Sequence, residues 1–111
     1  MHLISIKPYP GLAYYTSDKK DFKKTQKKLF GTSEKVGTHL GGRFYGEQVG
    51  GYWTYLIYAT SNATIAHEVS HMILHLFDRI GINPHEGNGE PFCYLLEQVI
   101  KDIEVINGHQ S

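Results

Sequence analysis

Several features that often settle a protein's class are scarce or missing in this chain. Cysteine occurs once among 111 residues, at Cys93, so no internal disulfide can form and a reducing, cytoplasmic location is expected. The formal net charge is +0 at pH 7, which argues against nucleic acid as a partner. No apolar run approaches the roughly 20 residues of a membrane span, and the start MHLISIKPYPG resembles no signal peptide.

What remains is the composition of one globular domain, residues 1–111. The hydrophobic fraction is 41% and the charged fraction 20%, and a chain of this length supports a single modest core. Strand-like and helix-like segments both occur, so we predict an α+β fold. In it, a small, mostly antiparallel sheet packs against a histidine-rich helix and a C-terminal helix, with a lysine-rich helix on the outside.

Four runs rich in β-branched and aromatic residues predict the strands. They read HLISI, GLAYYT, RFYGEQV and YWTYLIYAT. Gly50 and Gly51 between the last two runs indicate a hairpin, whereas the glycine-rich stretch 31–42 indicates a loop. Both faces of YWTYLIYAT are aromatic or apolar, so we expect that strand to be covered on both sides or to lie beside a site.

The segment SDKKDFKKTQKKLFG predicts a helix with Ser17 as its N-cap and its end before Gly31. Six lysines crowd this helix: Lys19, Lys20, Lys23, Lys24, Lys27 and Lys28. A solvated helix face is the usual explanation of such a run, and binding of an acidic partner is the functional alternative.

Residues 64–75 read TIAHEVSHMILH and belong to a predicted helix of about Ala63 to Ile80, closed by Gly81. At about 100° per residue, the apolar residues share one broad arc: Ile65, Val69, Met72, Ile73, Leu76, Phe77 and Ile80. The opposite arc holds His67, Glu68, His71, His75 and Asp78. One side of the helix therefore predicts core, and the other a stripe of metal-ligating residue types.

The spacing of His67, Glu68 and His71 is that of a zinc site. Histidines four residues apart lie on one helical face, so their imidazoles can converge on one ion. Glu68 is turned beside that ion, where it can take a proton from the water that attacks a carbonyl. His75 lies about 12 Å from His67 along the axis and is expected to flank the site. The alternative is an ordinary solvated face, which predicts no third ligand nearby.

A catalytic zinc needs a third protein ligand. The following segment offers four candidates: Glu90, Glu86, Glu97 and His85. Glu90 is preferred because Pro91 suits the first turn of a helix, which leaves Glu90 at the N-terminal end of that helix. Glu97 precedes Lys101 by four residues, which fits a surface ion pair. Cys93 lies at the edge of this helix's apolar arc and is expected to be a small buried residue.

These residues resemble the zincin superfamily of metallopeptidases. IAHEVSHMILH, followed 19 residues after His71 by Glu90, is similar to the gluzincin pattern in small single-domain members: compact phage-encoded metallopeptidases and ImmA/IrrE-type peptidases. The resemblance covers about residues 52–106. It implies zinc held by His67, His71 and Glu90, and Glu68 as general base. It also implies a peptide or protein substrate laid beside the strand YWTYLIYAT.

The chain departs from larger members of that superfamily. Its length leaves no room for their second domain, and Tyr94 stands where they carry an acidic partner. Asp78 could orient a histidine ligand or act in a cap near Arg79. Four residues could stabilise an oxyanion: Tyr52, Tyr55, Tyr94 and His85.

Three functions follow as hypotheses: a zinc-dependent peptidase, a non-catalytic zincin-like metal-binding or assembly protein, and an adaptor that binds acidic partners through the lysine-rich helix. Glu68 favours the first, because a purely structural zinc site has no need of a general base.

Overall fold

The computed structural model describes residues 1–32 and 41–108. The α+β prediction is confirmed. Its elements, in chain order, are β1 (His2–Ile4), β2 (Leu12–Thr16), α1 (Lys19–Phe30), β3 (Gly42–Val49), β4 (Tyr52–Ala59), α2 (Asn62–Ile80), a 3₁₀ turn (Glu86–Gly89) and α3 (Glu90–Ile106). The loop predicted for 31–42 falls largely on residues 33–40, which lie outside the described residues.

The strands form one sheet in the order β1-β2-β4-β3. β1 and β3 each pair antiparallel with their neighbours, while β2 and β4 are parallel. The predicted hairpin joins β3 to β4, and its turn residues Gly50 and Gly51 have φ of 59° and 86°. Glycine suits this turn because both positions lie in the left-handed region.

β4 is the centre of the sheet and is covered on both faces, as predicted. Tyr55 and Ile57 face the main core with α2 and α3. Leu56 and Tyr58 face a smaller core beneath α1, where Phe22 is fully buried. A strand buried on both sides accounts for the nearly continuous apolar run of β4.

The helix ends follow ordinary capping chemistry, with one correction. The N-cap of α1 is Asp18 rather than Ser17: the Asp18 side chain accepts from the backbone N–H of Lys20. Both residue types cap well, so composition alone did not separate them. α2 begins after a capping box formed by Ser61 and Thr64.

α2 and α3 pack side by side on the same face of the sheet. The predicted apolar arc of α2 is buried from Ile65 to Phe77, and Phe77 meets Phe92 of α3 with ring centroids 6.5 Å apart. Cys93 is expected to be buried, but it is exposed. Its neighbour Tyr94 is exposed as well, so both residues lie on the solvent face of α3.

Over residues 1–32 and 41–108, none of the helices has both the length and the apolar character that a membrane crossing needs.

Candidate metal centre

Two histidines on the exposed face of α2 converge as the sequence predicts. Nε2 of His67 lies 3.2 Å from Nε2 of His71, and the two rings meet edge to face with centroids 4.7 Å apart. Two zinc–nitrogen bonds of about 2.0–2.1 Å at a tetrahedral angle place their nitrogens about 3.3 Å apart. The spacing of this pair therefore fits two ligands of one zinc ion.

Glu68 is turned towards β3. A Cβ built on Gly42 of that strand would lie 2.9 Å from Cγ of Glu68 and 3.1 Å from its Oε2. The carboxylate thus occupies the space that a side chain at position 42 would fill, on the flank of α2 that faces the sheet edge. This places a proton acceptor next to the histidine pair in sequence and against the strand in space.

His75 packs into an aromatic cluster instead of joining the pair. Its Nδ1 lies 3.0 Å from the hydroxyl of Tyr55, and its ring contacts Trp53 edge to face at 4.8 Å between centroids. Phe44 of β3 completes the cluster, 5.9 Å from His75. Burial lowers the pKa of His75. His75 therefore flanks the pair, as the helical spacing predicts.

Arg79 connects this cluster to the end of α2. Its guanidinium lies 5.3 Å from the centre of the Trp53 ring, and it donates to Asp78 Oδ2 at 2.6 Å. Asp78 is thus ion-paired with Arg79, while the C-cap of α2 is Gly81; the two roles predicted for Asp78 stay predictions. Burial raises the pKa of Tyr55 to about 12, against the opposing effect of Arg79, so Tyr55 stays a neutral phenol.

Glu90 is not brought to the histidine pair. Phe92, two residues after it, packs against Phe77, and Phe77 lies about 9 Å along α2 from His71. A hydrogen bond to Glu90 is the main cause of the raised pKa of Tyr94. Within 1–32 and 41–108, no group of three or more His, Cys, Asp or Glu side chains is placed to hold an ion.

The other candidate ligands are also elsewhere. Glu97 forms an exposed ion pair with Lys101 at 3.7 Å, as predicted from their spacing. His85 and Glu86 are exposed at the 3₁₀ turn. The third ligand, with Glu90 as first choice, stays a prediction.

The structure corrects the expected position of a substrate strand. β4 does lie beside α2, but both its edges are occupied, by β2 on one side and β3 on the other. β3 is an outer strand; it meets Glu68 at Gly42. It also contributes Phe44 to the cluster in which His75 bonds to Tyr55 of β4. Sequence analysis missed Gly42 because it lay in the predicted loop; the available signal was a glycine four residues before Gly46.

The lysine-rich helix lies on the opposite face of the sheet. α1 is anchored there by Phe22 and Gln26, both fully buried. Its exposed lysines are Lys20, Lys24, Lys27 and Lys28. Any partner of these lysines would bind away from the histidine pair.

Comparison with known proteins finds no matching family model, no matching curated sequence and no matching solved structure. The resemblance to zincins rests on the residues of α2 and on Glu90.

Proposed function

We propose that this protein is a zinc-dependent metallopeptidase, with zinc held by His67 and His71 and with Glu68 as general base. The observation that carries the proposal is the 3.2 Å separation of the two Nε2 atoms, which matches two ligands of a tetrahedral ion. The same separation also allows a hydrogen bond between the two imidazoles, and the elemental analysis below distinguishes a zinc-binding pair from a hydrogen-bonded one.

When bound, zinc supplies a Lewis acid that polarises a carbonyl and acidifies water. Glu68 accepts the proton of the attacking water on its carboxylate and then delivers it to the leaving amine. Its position against β3 keeps that carboxylate on the side from which a substrate would approach.

The proposed substrate is an extended peptide or a protein segment. β3 is one of the two outer strands of the described sheet, and an outer strand presents backbone N–H and C=O groups that an added strand can pair with. The segment would lie along the flank of α2 that carries Glu68. Central β4 has no edge left for this purpose.

Glu90 is the proposed third ligand, with Glu86, Glu97 and His85 as alternatives. The ion pair of Glu97 with Lys101 and the exposed turn that carries His85 and Glu86 leave Glu90 preferred. Recruiting it would require the connection between α2 and α3 to bring it towards His71.

Elemental analysis of the purified protein tests the proposal. We expect one zinc per chain, lost in the double variant His67→Ala, His71→Ala and retained in the control His2→Ala, which removes an exposed histidine of β1. Loss of zinc in Glu90→Gln would identify the third ligand. Absence of zinc from the parent protein after incubation with the metal would refute the proposal.

A non-catalytic zincin-like metal-binding or assembly protein is the second candidate. It requires no catalytic geometry, so the packing of α3 that keeps Glu90 away from the pair is compatible with an assembly role. A zinc-loaded protein that cleaves no unfolded polypeptide would support this candidate over the first.

A further inference from the structure

Strand β3 carries two glycines whose backbone does not require glycine. Gly42 and Gly46 are four residues apart and so share one face of the strand, and the φ of neither lies in the left-handed region. Glycine at such positions costs conformational entropy and gives no packing. Some other feature must account for the missing side chains.

In both cases another side chain fills the space. A Cβ at Gly46 would lie 2.6 Å from the ring of Tyr55, its direct cross-strand partner. A Cβ at Gly42 would lie 2.9 Å from Cγ of Glu68. The first glycine admits an aromatic ring of the core, and the second admits the side chain of Glu68, which follows His67 in the sequence.

We propose that Gly42 is a positioning residue for Glu68: the absence of a Cβ lets the carboxylate lie against β3 and fixes its place beside His67 and His71. This inference rests on the proposed function, in which Glu68 moves the proton. It assigns to a strand residue a part in the site that the motif on α2 does not contain.

Replacement of Gly42 by alanine should move Glu68 and leave the strand in place. The strand backbone is held by pairing with Ala59, whereas the Glu68 side chain has three rotatable torsions and gives way at lower cost. The imidazoles of His67 and His71 are not touched. Zinc binding should therefore persist while the carboxylate is displaced.

Gly41→Ala is the matched control. A Cβ there would meet the methyl group of Thr64 at 3.1 Å and would not reach Glu68. For Gly42→Ala we expect kcat to fall about 100-fold, as misplacement of a reacting group by about 1 Å can produce, with KM and zinc content unchanged. Gly41→Ala should keep kcat within a few-fold of the parent.

Thermal unfolding tests the contact without any substrate. Gly42→Ala should lower the melting temperature by about 4 °C, the shift expected in a domain this small for about one ordinary packing defect. In a Glu68→Ala background the obstructing Cγ is gone and the backbone oxygen of Tyr58, 3.2 Å from the added Cβ, remains, so the same substitution should lower the melting temperature less than it does in the parent.

The two measurements separate the inference from the function it rests on. Equal effects of Gly42→Ala in both backgrounds, or a kcat that stays at the parent value, would overturn the positioning role. A zinc-loaded parent without peptidase activity would overturn the proposed function alone, since the unfolding cycle still decides whether Gly42 holds the carboxylate.

Discussion

The two edges of the sheet, at β1 and at β3, are contacted by different kinds of side chain. At the β1 edge, side chains of α3 bind the chain that follows the strand: Ser5 N–H donates to Asp102 at 3.0 Å. Gln98 donates to the carbonyls of Ser5 and Lys7 at 3.1 and 3.0 Å. These contacts satisfy backbone groups of the segment that follows β1.

The β3 edge has neighbours of another kind. Within the described residues no strand lies beyond β3, and α2 meets it with Glu68 and with His75, which packs on Phe44. The residues that reach this edge are titratable or aromatic, and two of its own residues are glycines.

On the proposed function, the contacts at the β1 edge stabilise the fold, and the β3 edge carries the site. Amide and carboxylate contacts from α3 hold the segment that follows β1, and removing them should cost stability alone. The proposed site occupies the other edge, where a change should alter activity before it alters folding. The following predictions test this division.

The largest expected effect is at the β3 edge. Glu68→Gln keeps the shape of the side chain and removes its ability to accept a proton, so we expect kcat for an unfolded polypeptide substrate to fall by about 100- to 10,000-fold. The melting temperature should change little, because the contact with Gly42 is sterically preserved. Steady-state kinetics and thermal unfolding on the zinc-loaded proteins provide the measurement.

If Glu68→Gln were as active as the parent, Glu68 would not be the general base. A large loss of stability in the same variant would contradict the division between the two edges.

A smaller effect is expected at the β1 edge. Gln98, which contacts the segment after β1, can be compared with Gln48 of β3, because the same substitution is made in both. Gln98→Ala leaves the carbonyls of Ser5 and Lys7 without their donor and should cost about 1 kcal/mol of stability, or about 4 °C in melting temperature. Gln48→Ala changes an exposed glutamine of β3 and should stay within about 0.5 kcal/mol of the parent. Neither variant should change the zinc content.

Similar losses in the two glutamine variants would show that the β1 edge is no more dependent on side-chain contacts than the β3 edge.

The local parts of this architecture could be predicted from the sequence. The segregation of apolar and polar residues around α2 indicated its buried face and its polar stripe, and Gly50 with Gly51 indicated the hairpin. These features depend on residues a few positions apart, whose spacing in a helix or turn is fixed by backbone geometry. The convergence of His67 and His71 belongs to the same class.

The non-local parts could not be predicted. β2 pairs in parallel with β4, and this pairing joins residues about forty positions apart. It makes β3 one of the two outer strands. The missing approach of Glu90 depends on how Gly87 and Asn88, both left-handed, turn the chain into α3. Two local details were also wrong. Ser17 and Asp18 are both good N-cap residues, and Cys93 lies at the edge of the apolar arc, where a buried and an exposed position fit equally well.

The last and smallest effect distinguishes the two edges by pH. His75 has its pKa lowered from 6.5, first by burial and then by Arg79, with Asp78 opposing. The unfolded chain therefore binds this proton more readily than the folded one, so the contribution of His75 to stability is present above about pH 6.5 and is lost as the pH falls below it. Tyr55, its other neighbour, stays neutral throughout this range.

His75→Gln isolates this effect, because the glutamine amide can still bond to Tyr55 and does not titrate. We expect the melting temperature of the parent to fall more steeply than that of His75→Gln over about one pH unit on either side of the ordinary histidine pKa, from about pH 7.5 to about pH 5.5. Gln98→Ala should keep the parent's pH dependence at a lower melting temperature, because its contacts with Ser5 and Lys7 involve no titrating group. If His75→Gln kept the parent's slope instead, protonation of His75 would not be what couples folding to pH, and the expected difference in pH dependence between His75→Gln and Gln98→Ala would fail.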